Sequence, residues 1–307
     1  MLAHMNINQI RYVLTVAASS SMREASTKLF ISQPALSASI GELEEELGIL
    51  IFERTNKGIS LTDEGREFVE YAKKAMGQYE ILEDRYLSRD ADKERFSVST
   101  QHYTFAIRAF TSVIRAFSPD KYKFSIHETK TGEVLQDVRS MKSEVGVISF
   151  SEATEKIIKK LIKEYGLSFT PLMRREAYAY VWKDHKFAKR KNISLNELKD
   201  YPCVSFDQSD GSNLYLTEEA MADYDFGKVI RSDDRATSME LIAELGGFSI
   251  GSGMLAEKDS TLQGLVSIKL KETDPLTIGY IIRKEKDLSV YGQAYVDELE
   301  KYRDKTL

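Results

Sequence analysis

The chain has 307 residues, 42% hydrophobic and 30% charged, with a formal net charge of −5. That length suits about two domains, and that balance suits a folded globular protein rather than a disordered or fibrous one. One cysteine, Cys203, excludes a disulfide framework and a CxxC metal site, and four scattered histidines (His4, His102, His127, His185) form no zinc set, so neither metal nor cofactor is expected.

Taken from the N-terminus, Met1–Met5 lack the charged segment and apolar run of an export signal. Nothing further along approaches the roughly 18 consecutive apolar residues of a membrane span, so a cytoplasmic protein with no membrane partner is expected. Ile7, Ile10, Leu14 and Ala17 recur at helical spacing and predict a helix over 6–18. Ser21-Met22-Arg23-Glu24 has the form of a capping box, Ser21 at the N-cap and Glu24 at N3, and opens a short second helix with Ala25 and Leu29 inward. Phe30-Ile31 is a turn. Ser32 then caps a third helix with Pro34 in its first turn, where the missing N–H costs nothing. Leu36, Ile40, Leu43 and Leu47 form its buried stripe, and Gly48 ends it.

The free face at the start of that third helix is Gln33, Pro34, Ser37 and Ala38. These side chains are small or carry an amide, so they allow close approach to base edges, and a glutamine can pair with adenine. The carboxylates Glu42, Glu44, Glu45 and Glu46 all lie in the second half. A recognition helix that enters a groove by its N-terminus needs that asymmetry. Ile49–Arg54, the turn Thr55-Asn56-Lys57-Gly58 and Ile59–Leu61 predict a hairpin whose tip carries Lys57 beside Arg54. Residues 6–65 thus read as a winged helix-turn-helix. Residues 1–65 hold five Lys/Arg and eight Asp/Glu, a net of −3, so DNA binding rests on where charge sits and not on its sum. Three helices and a hairpin also make an ordinary small core, which is the bland alternative.

The run then becomes specific. Ala25, Leu29, Ser32-Gln33-Pro34-Ala35-Leu36-Ser37, Ile40, Leu43-Glu44, Leu47-Gly48, Phe52-Glu53-Arg54-Thr55, Leu61-Thr62 and Gly65 stand in the register of the LysR-type transcriptional regulators, which the segment resembles. The resemblance implies that Ser32, Gln33, Pro34 and Ser37 face the major groove and that Arg54 and Lys57 meet backbone or minor groove. Many members carry a long polar residue where Ala38 stands here, and Ala38 offers only an apolar contact, such as to a thymine methyl.

Thr62 caps the next predicted helix, over 66–90, with Asp63 and Glu64 in its first turn. Phe68, Ala72, Ala75, Tyr79, Leu82 and Tyr86 alternate steps of four and three, a heptad seam on a helix about 40 Å long. The stripe packs either on its own domains or on a second copy, and the resemblance implies a dimer through this linker. Ser88–Arg95 is a charged hinge.

From residue 96, strands and helices alternate: strands at 96–100, 123–128 and 145–149, helices at 103–117, 133–141 and 155–165. Strands at 178–182, 203–206, 228–231 and 247–251 and helices at 214–223 and 236–245 repeat the theme. Leu276–Ile282 reads as a strand returning to the first sheet, and 290–302 as a closing helix. The expected fold is α/β: a winged helix-turn-helix, a long linker helix, and a two-lobed domain over 95–307 that resembles the periplasmic-binding-protein-like effector domain of the same family. Lobe I is expected at 95–168 with 272–307, and lobe II at 169–271.

Ligands of such folds sit at the carboxyl ends of strands. That selects Ser99, Thr100, Gln101 and His102, then Thr129, Thr131 and Gly132, then Phe206, Asp207 and Ser209. Hydroxyls beside helix N-termini suit a small anion or carboxylate, though each is equally an ordinary N-cap. The first strand end also looks like that of sulfate-responsive relatives, which suggests sulfur or amino-acid metabolism. His127 and Cys203 read as structural, and with no second cysteine an internal disulfide sensor is excluded. Gly246-Gly247 and Gly251-Ser252-Gly253 match neither GxGxxG nor a P-loop.

A solute-binding protein fails to explain residues 6–65, and no catalytic triad, paired carboxylates or metal cluster supports an enzyme. The resemblance implies double-stranded DNA, a small-molecule effector between the lobes, a second copy (homodimer or homotetramer) and RNA polymerase as partners.

Overall fold

The computed structural model describes residues 5–55, 58–86, 93–118, 120–207, 216, 218, 220–221, 224–254 and 264–303. They divide between a unit over 1–91 and a unit over 92–307.

The first unit runs α1 (Ile7–Ala17), α2 (Met22–Lys28), α3 (Gln33–Leu47), β1 (Phe52–Thr55), β2 (Gly58–Leu61) and α4 (Asp63–Tyr86). Asn6 caps α1, accepting the Gln9 N–H, while the Gln9 side chain accepts the Asn6 N–H at 3.0 Å. Ser21 caps α2 as expected, but Glu24 reaches back one residue further, to the backbone and hydroxyl of Ser20, and does not close a capping box on Ser21. Val13, Val16, Ala25, Leu36, Leu43 and Ile51 are buried together between the helices and the hairpin.

The hairpin starts later than the apolar run suggested, at Phe52. The reason is Glu44. One of its carboxylate oxygens accepts the N–H groups of both Ile51 (2.7 Å) and Phe52 (3.0 Å), so Ile49–Ile51 are held to α3 and not to a partner strand. Thr62 then donates its N–H to the Ile51 carbonyl (3.1 Å), and its hydroxyl accepts the Gly65 N–H (2.8 Å), which caps α4. A Cβ on Gly65 would stand 2.0 Å from the Ile51 carbonyl oxygen. Only glycine lets the linker helix come this close to the wing.

The second unit contains two sheets. Lobe I holds β3 (Glu94–Thr100), α5 (Thr104–Phe117), β4 (Tyr122–Glu128), α6 (Thr131–Arg139), β5 (Val145–Ser151), α7 (Glu152–Glu164) and β6 (Leu167–Arg175). Lobe II holds β7 (Tyr178–Trp182), β8 (Asn192–Ile193), α8 (Leu195–Leu198), β9 (Cys203–Phe206), β10 (Val229–Ser232), α9 (Arg235–Leu245), β11 (Phe248–Gly251) and β12 (Leu265–Leu270). β13 (Leu276–Arg283) and α10 (Val290–Glu300) return to lobe I. The sheet orders are β4-β3-β5-β13-β6 and β10-β9-β11-β7-β12-β8. β3 runs parallel to β4 and β5, and β13 closes antiparallel between β5 and β6, as its apolar sequence predicts.

The boundary between lobes moves from the expected 168/169 to beyond Arg175, because β6 belongs to the first sheet. Pro171 in β6 has no backbone N–H to give a ladder. It is tolerated because β6 is an edge strand, and the pairing with β13 shifts register where Pro171 faces Gly279. The helix expected over 214–223 and the hinge at 88–95 fall largely outside the described residues.

Replacing Gly65 by alanine is expected to destabilise the N-terminal unit by about 1–3 kcal/mol. Denaturant unfolding of the full chain should show an earlier first transition, and an unchanged one would mean that α4 and the wing are not in contact there.

Candidate nucleic-acid interface and interlobe cleft

In α3, Leu36, Ile40 and Leu43 are buried, while Gln33, Pro34 and Ala38 are exposed and Ser37 half-buried. Ser32 caps the helix, its hydroxyl accepting the Ala35 N–H at 3.3 Å. No acidic residue occupies the first turn, so the free N–H groups and the positive end of the helix dipole face outward uncompensated. Glu42, Glu45 and Glu46 are exposed further along, and Glu44 is spent on the wing. The expected recognition residues thus share one surface with an electropositive start. Arg54 stands in β1 opposite Ile59, and Lys57 lies outside the described residues.

The stripe of α4 is split. Ala72 is buried and Phe68 and Tyr79 are part-buried against Ile7, Ile10 and Leu14 of α1, together with Met76, which the heptad reading omitted. Ala75, Leu82 and Tyr86 remain exposed, and Tyr71 joins them at 65% exposure. Positions 71, 75, 82 and 86 recur at steps of four and seven and so fall within one narrow arc. The six-residue seam is therefore corrected: Phe68, Ala72 and Tyr79 are largely covered within the chain, while Tyr71, Ala75, Leu82 and Tyr86 form the face left open.

Between the lobes lies a cleft at the carboxyl ends of β9 and β11. Its apolar wall includes Val204, Met239, Ile242, Ile250 and Leu265. His102, just after β3, lies flat on Phe206 of lobe II, ring centroids 3.5 Å apart and planes 6° apart. Its Nδ1 is 2.6 Å from Glu218 Oε1, and since an ionised carboxylate only accepts, Nδ1 carries the proton. Its Nε2 faces Glu128 at 3.8 Å. Glu128 Oε1 in turn accepts two bonds from Arg235 of α9, at 3.0 and 3.1 Å. The Glu128–Arg235 pair and the His102–Phe206 stack join lobe I to lobe II. Burial pushes the Tyr103 hydroxyl far up and that of Tyr180 up to about 12, so both stay neutral.

Of the expected effector residues, the structure brings His102 and Phe206 to the cleft. Four others are fully buried within lobe I. Ser99 bonds Asp137 and Ser143, both at 2.7 Å. Thr100 donates to the Gln101 carbonyl (2.8 Å). Gln101 donates to Thr131 (2.6 Å) and accepts the Ser149 N–H (2.6 Å). Thr129 bonds Glu133 outside the cleft, and Asp207 pairs with Lys130 at 3.9 Å. Ser209 lies outside the described residues. The hydroxyls on which an anion and a sulfate-like specificity were expected are spent on protein partners. Glu218, Arg235 and Tyr180 were missed. Glu218 lies 116 residues from its partner, and no local pattern marks it.

A family model described as "Bacterial regulatory helix-turn-helix protein, lysR family" matches residues 7–66, and one described as "LysR substrate binding domain" matches residues 101–303. A hydrogen peroxide-inducible genes activator of Dickeya chrysanthemi is 24% identical over 260 residues, which span 81% of this chain and 78% of that one. The crystal structure of CbnR, a LysR family transcriptional regulator, is 19% identical with a TM-score of 0.63, covering 98% of this chain and 100% of that one. Full-length CbnR complexed with its target DNA gives 0.62 at 19% identity, covering 97% and 100%. At those identities the likeness establishes the fold.

Gln101→Ala is expected to cost about 1–3 kcal/mol of stability by orphaning the buried Ser149 N–H. Denaturation of the full chain measures it; a variant of unchanged stability that loses ligand affinity would make Gln101 a cleft residue instead.

Proposed function

The chain belongs to the LysR family of bacterial transcriptional regulators, and on that premise we propose that it binds operator DNA as a dimer and responds to a small molecule held between its lobes. The single observation that carries the DNA reading is the exposed, carboxylate-free start of α3, with Gln33, Pro34, Ser37 and Ala38 on its surface. Gln33 and Ser37 would read base edges, Ala38 would accept a methyl, and Arg54 and Lys57 would hold flanking backbone. The open apolar face of α4 supports dimerisation, which places two recognition helices on half-sites an integral number of helical turns apart. Pairing into a tetramer and contact with RNA polymerase extend the same reading. The work is cytoplasmic, where the DNA is, and no catalysis is part of it. No helix among the described residues is long and apolar enough to cross a membrane.

The effector step requires a ligand that stabilises one arrangement of the lobes over another. The cross-lobe array around His102 supports this, because any ligand in the cleft competes with or completes those bonds. The peroxide-inducible relative raises redox control, but this chain has one cysteine. Cys203 is buried in the apolar core of lobe II at 4% exposure. As the one cysteine of the sequence it cannot close an intrachain disulfide, and its setting is that of a structural thiol.

In a gel shift with DNA from upstream of its own gene, affinity should fall at least about a hundredfold between roughly 50 and 200 mM salt. The Gln33→Ala/Ser37→Ala variant should lose about 1–3 kcal/mol per base contact and discriminate less between operator and random DNA. Full affinity in that variant would remove α3 as the reading element. Leu82→Glu on the open face of α4 should shift the chain toward monomer in sedimentation; an unchanged oligomer would place the dimer contact elsewhere.

A further inference from the structure

The cleft wall carries one unmet polar requirement. Glu218 is 7% exposed. One of its oxygens accepts from His102. The other, Oε2, has no solvent-accessible surface and no hydrogen-bond partner among the described residues. A carboxylate offers about four lone-pair positions. Buried polar atoms without partners are rare in folded proteins and mark a missing water, ion or ligand. Rotation about the Cγ–Cδ bond exchanges the two oxygens and leaves one still short of a donor.

The charges around it point one way. Among the described residues Arg235 is the Lys/Arg cation lining the cleft, and its guanidinium is matched by Glu128 through two bonds. An entering anion would have to displace Glu128 and then lie near Glu218 with no other Lys/Arg cation lining the cleft among the described residues. An ammonium would leave the Glu128–Arg235 pair in place and would supply the missing donor once the Glu218 carboxylate turns that oxygen toward the cleft. Tyr103 and Tyr180 remain neutral and add no charge of either sign. Beside the hydroxyl residues Thr104, Ser238, Ser249 and Ser252, the wall carries Val204, Met239, Ile242, Ile250 and Leu265, which suit an apolar body.

We infer that the effector of this cleft is an amine on an apolar body, whose N–H groups satisfy Glu218, rather than an anion. The inference rests on the reading of the cleft as the effector site. Such a ligand joins the Glu218 segment to lobe II through its apolar contacts while Glu218 keeps its bond to His102 of lobe I. It therefore favours the arrangement in which the lobes are tied.

Calorimetric titration of the full-length protein with n-hexylamine and with hexanoate tests this, because the pair shares a body and differs in the head. Saturable binding of hexylamine at least about tenfold tighter than hexanoate is expected. Glu218→Gln should abolish that preference. Should that variant fail to fold, Met239→Lys places a fixed cation in the same cleft and should reject hexylamine while sparing hexanoate. Hexanoate binding as tightly as hexylamine, lost in a cleft-filling Ile242→Trp variant, would overturn the amine and leave the cleft as effector site. Binding of neither probe, or binding that Ile242→Trp leaves untouched, would overturn both.

Discussion

Glu218 is a carboxylate that folding has removed from water and tied to His102, 116 residues away, at the wall of the interlobe cleft. Most of the interlobe geometry follows from that constraint. Taking a carboxylate out of water costs several kcal/mol unless partners replace its hydration. His102 supplies one partner, and its other face is fixed by the stack on Phe206. With the imidazole held, its second nitrogen is aimed at Glu128, which is in turn fixed by Arg235. The imidazole is thus fixed by Glu218 and Phe206, and Glu128 beside it by Arg235. The array is also only partly satisfied, and a partly satisfied buried network is sensitive to whatever enters it.

A second carboxylate solves a different problem in the N-terminal unit. Glu44 lies in the stretch of four glutamates that made the third helix look acidic. Its oxygen accepts two backbone N–H groups at the start of the wing. The wing is thereby set against the recognition helix, and Thr62 and Gly65 pass the constraint on to α4. One acidic residue thus positions the machinery, while the exposed ones stay behind the helix start. A net-acidic segment can present an electropositive surface because the helix dipole acts only within its first turn.

These two carboxylates also show what was legible in the sequence. Helix starts, the α3 stop at Gly48 and the return of β13 were readable, because caps, glycine and apolar runs are local signals. The α4 seam was half readable. Periodicity shows that a stripe is apolar but not what covers it, and α1 covers Phe68, Ala72 and Tyr79. The cleft was least legible. Being at the carboxyl end of a strand places a residue near the crevice, but the pleat and the local polar network decide which way its side chain turns. Ser99, Thr100 and Gln101 turn into lobe I, and His102, one residue on, turns out. Glu218 becomes a site only through a contact 116 residues away.

The same physics bears on how selective such a cleft can be. An apolar wall discriminates weakly, because one methylene more or less changes binding by only about 1–3 kcal/mol. A buried acceptor without a donor discriminates strongly, since a ligand lacking the donor leaves the penalty in place and one carrying it removes the penalty. Val204, Ile242 and Leu265 therefore set the size of what fits, and Glu218 sets its chemistry. A ligand that satisfies Glu218 while packing on Val204, Ile242 and Leu265 of lobe II is also one that holds the lobes together. Recognition and response are then one interaction, with no separate relay required between binding the ligand and moving the lobes.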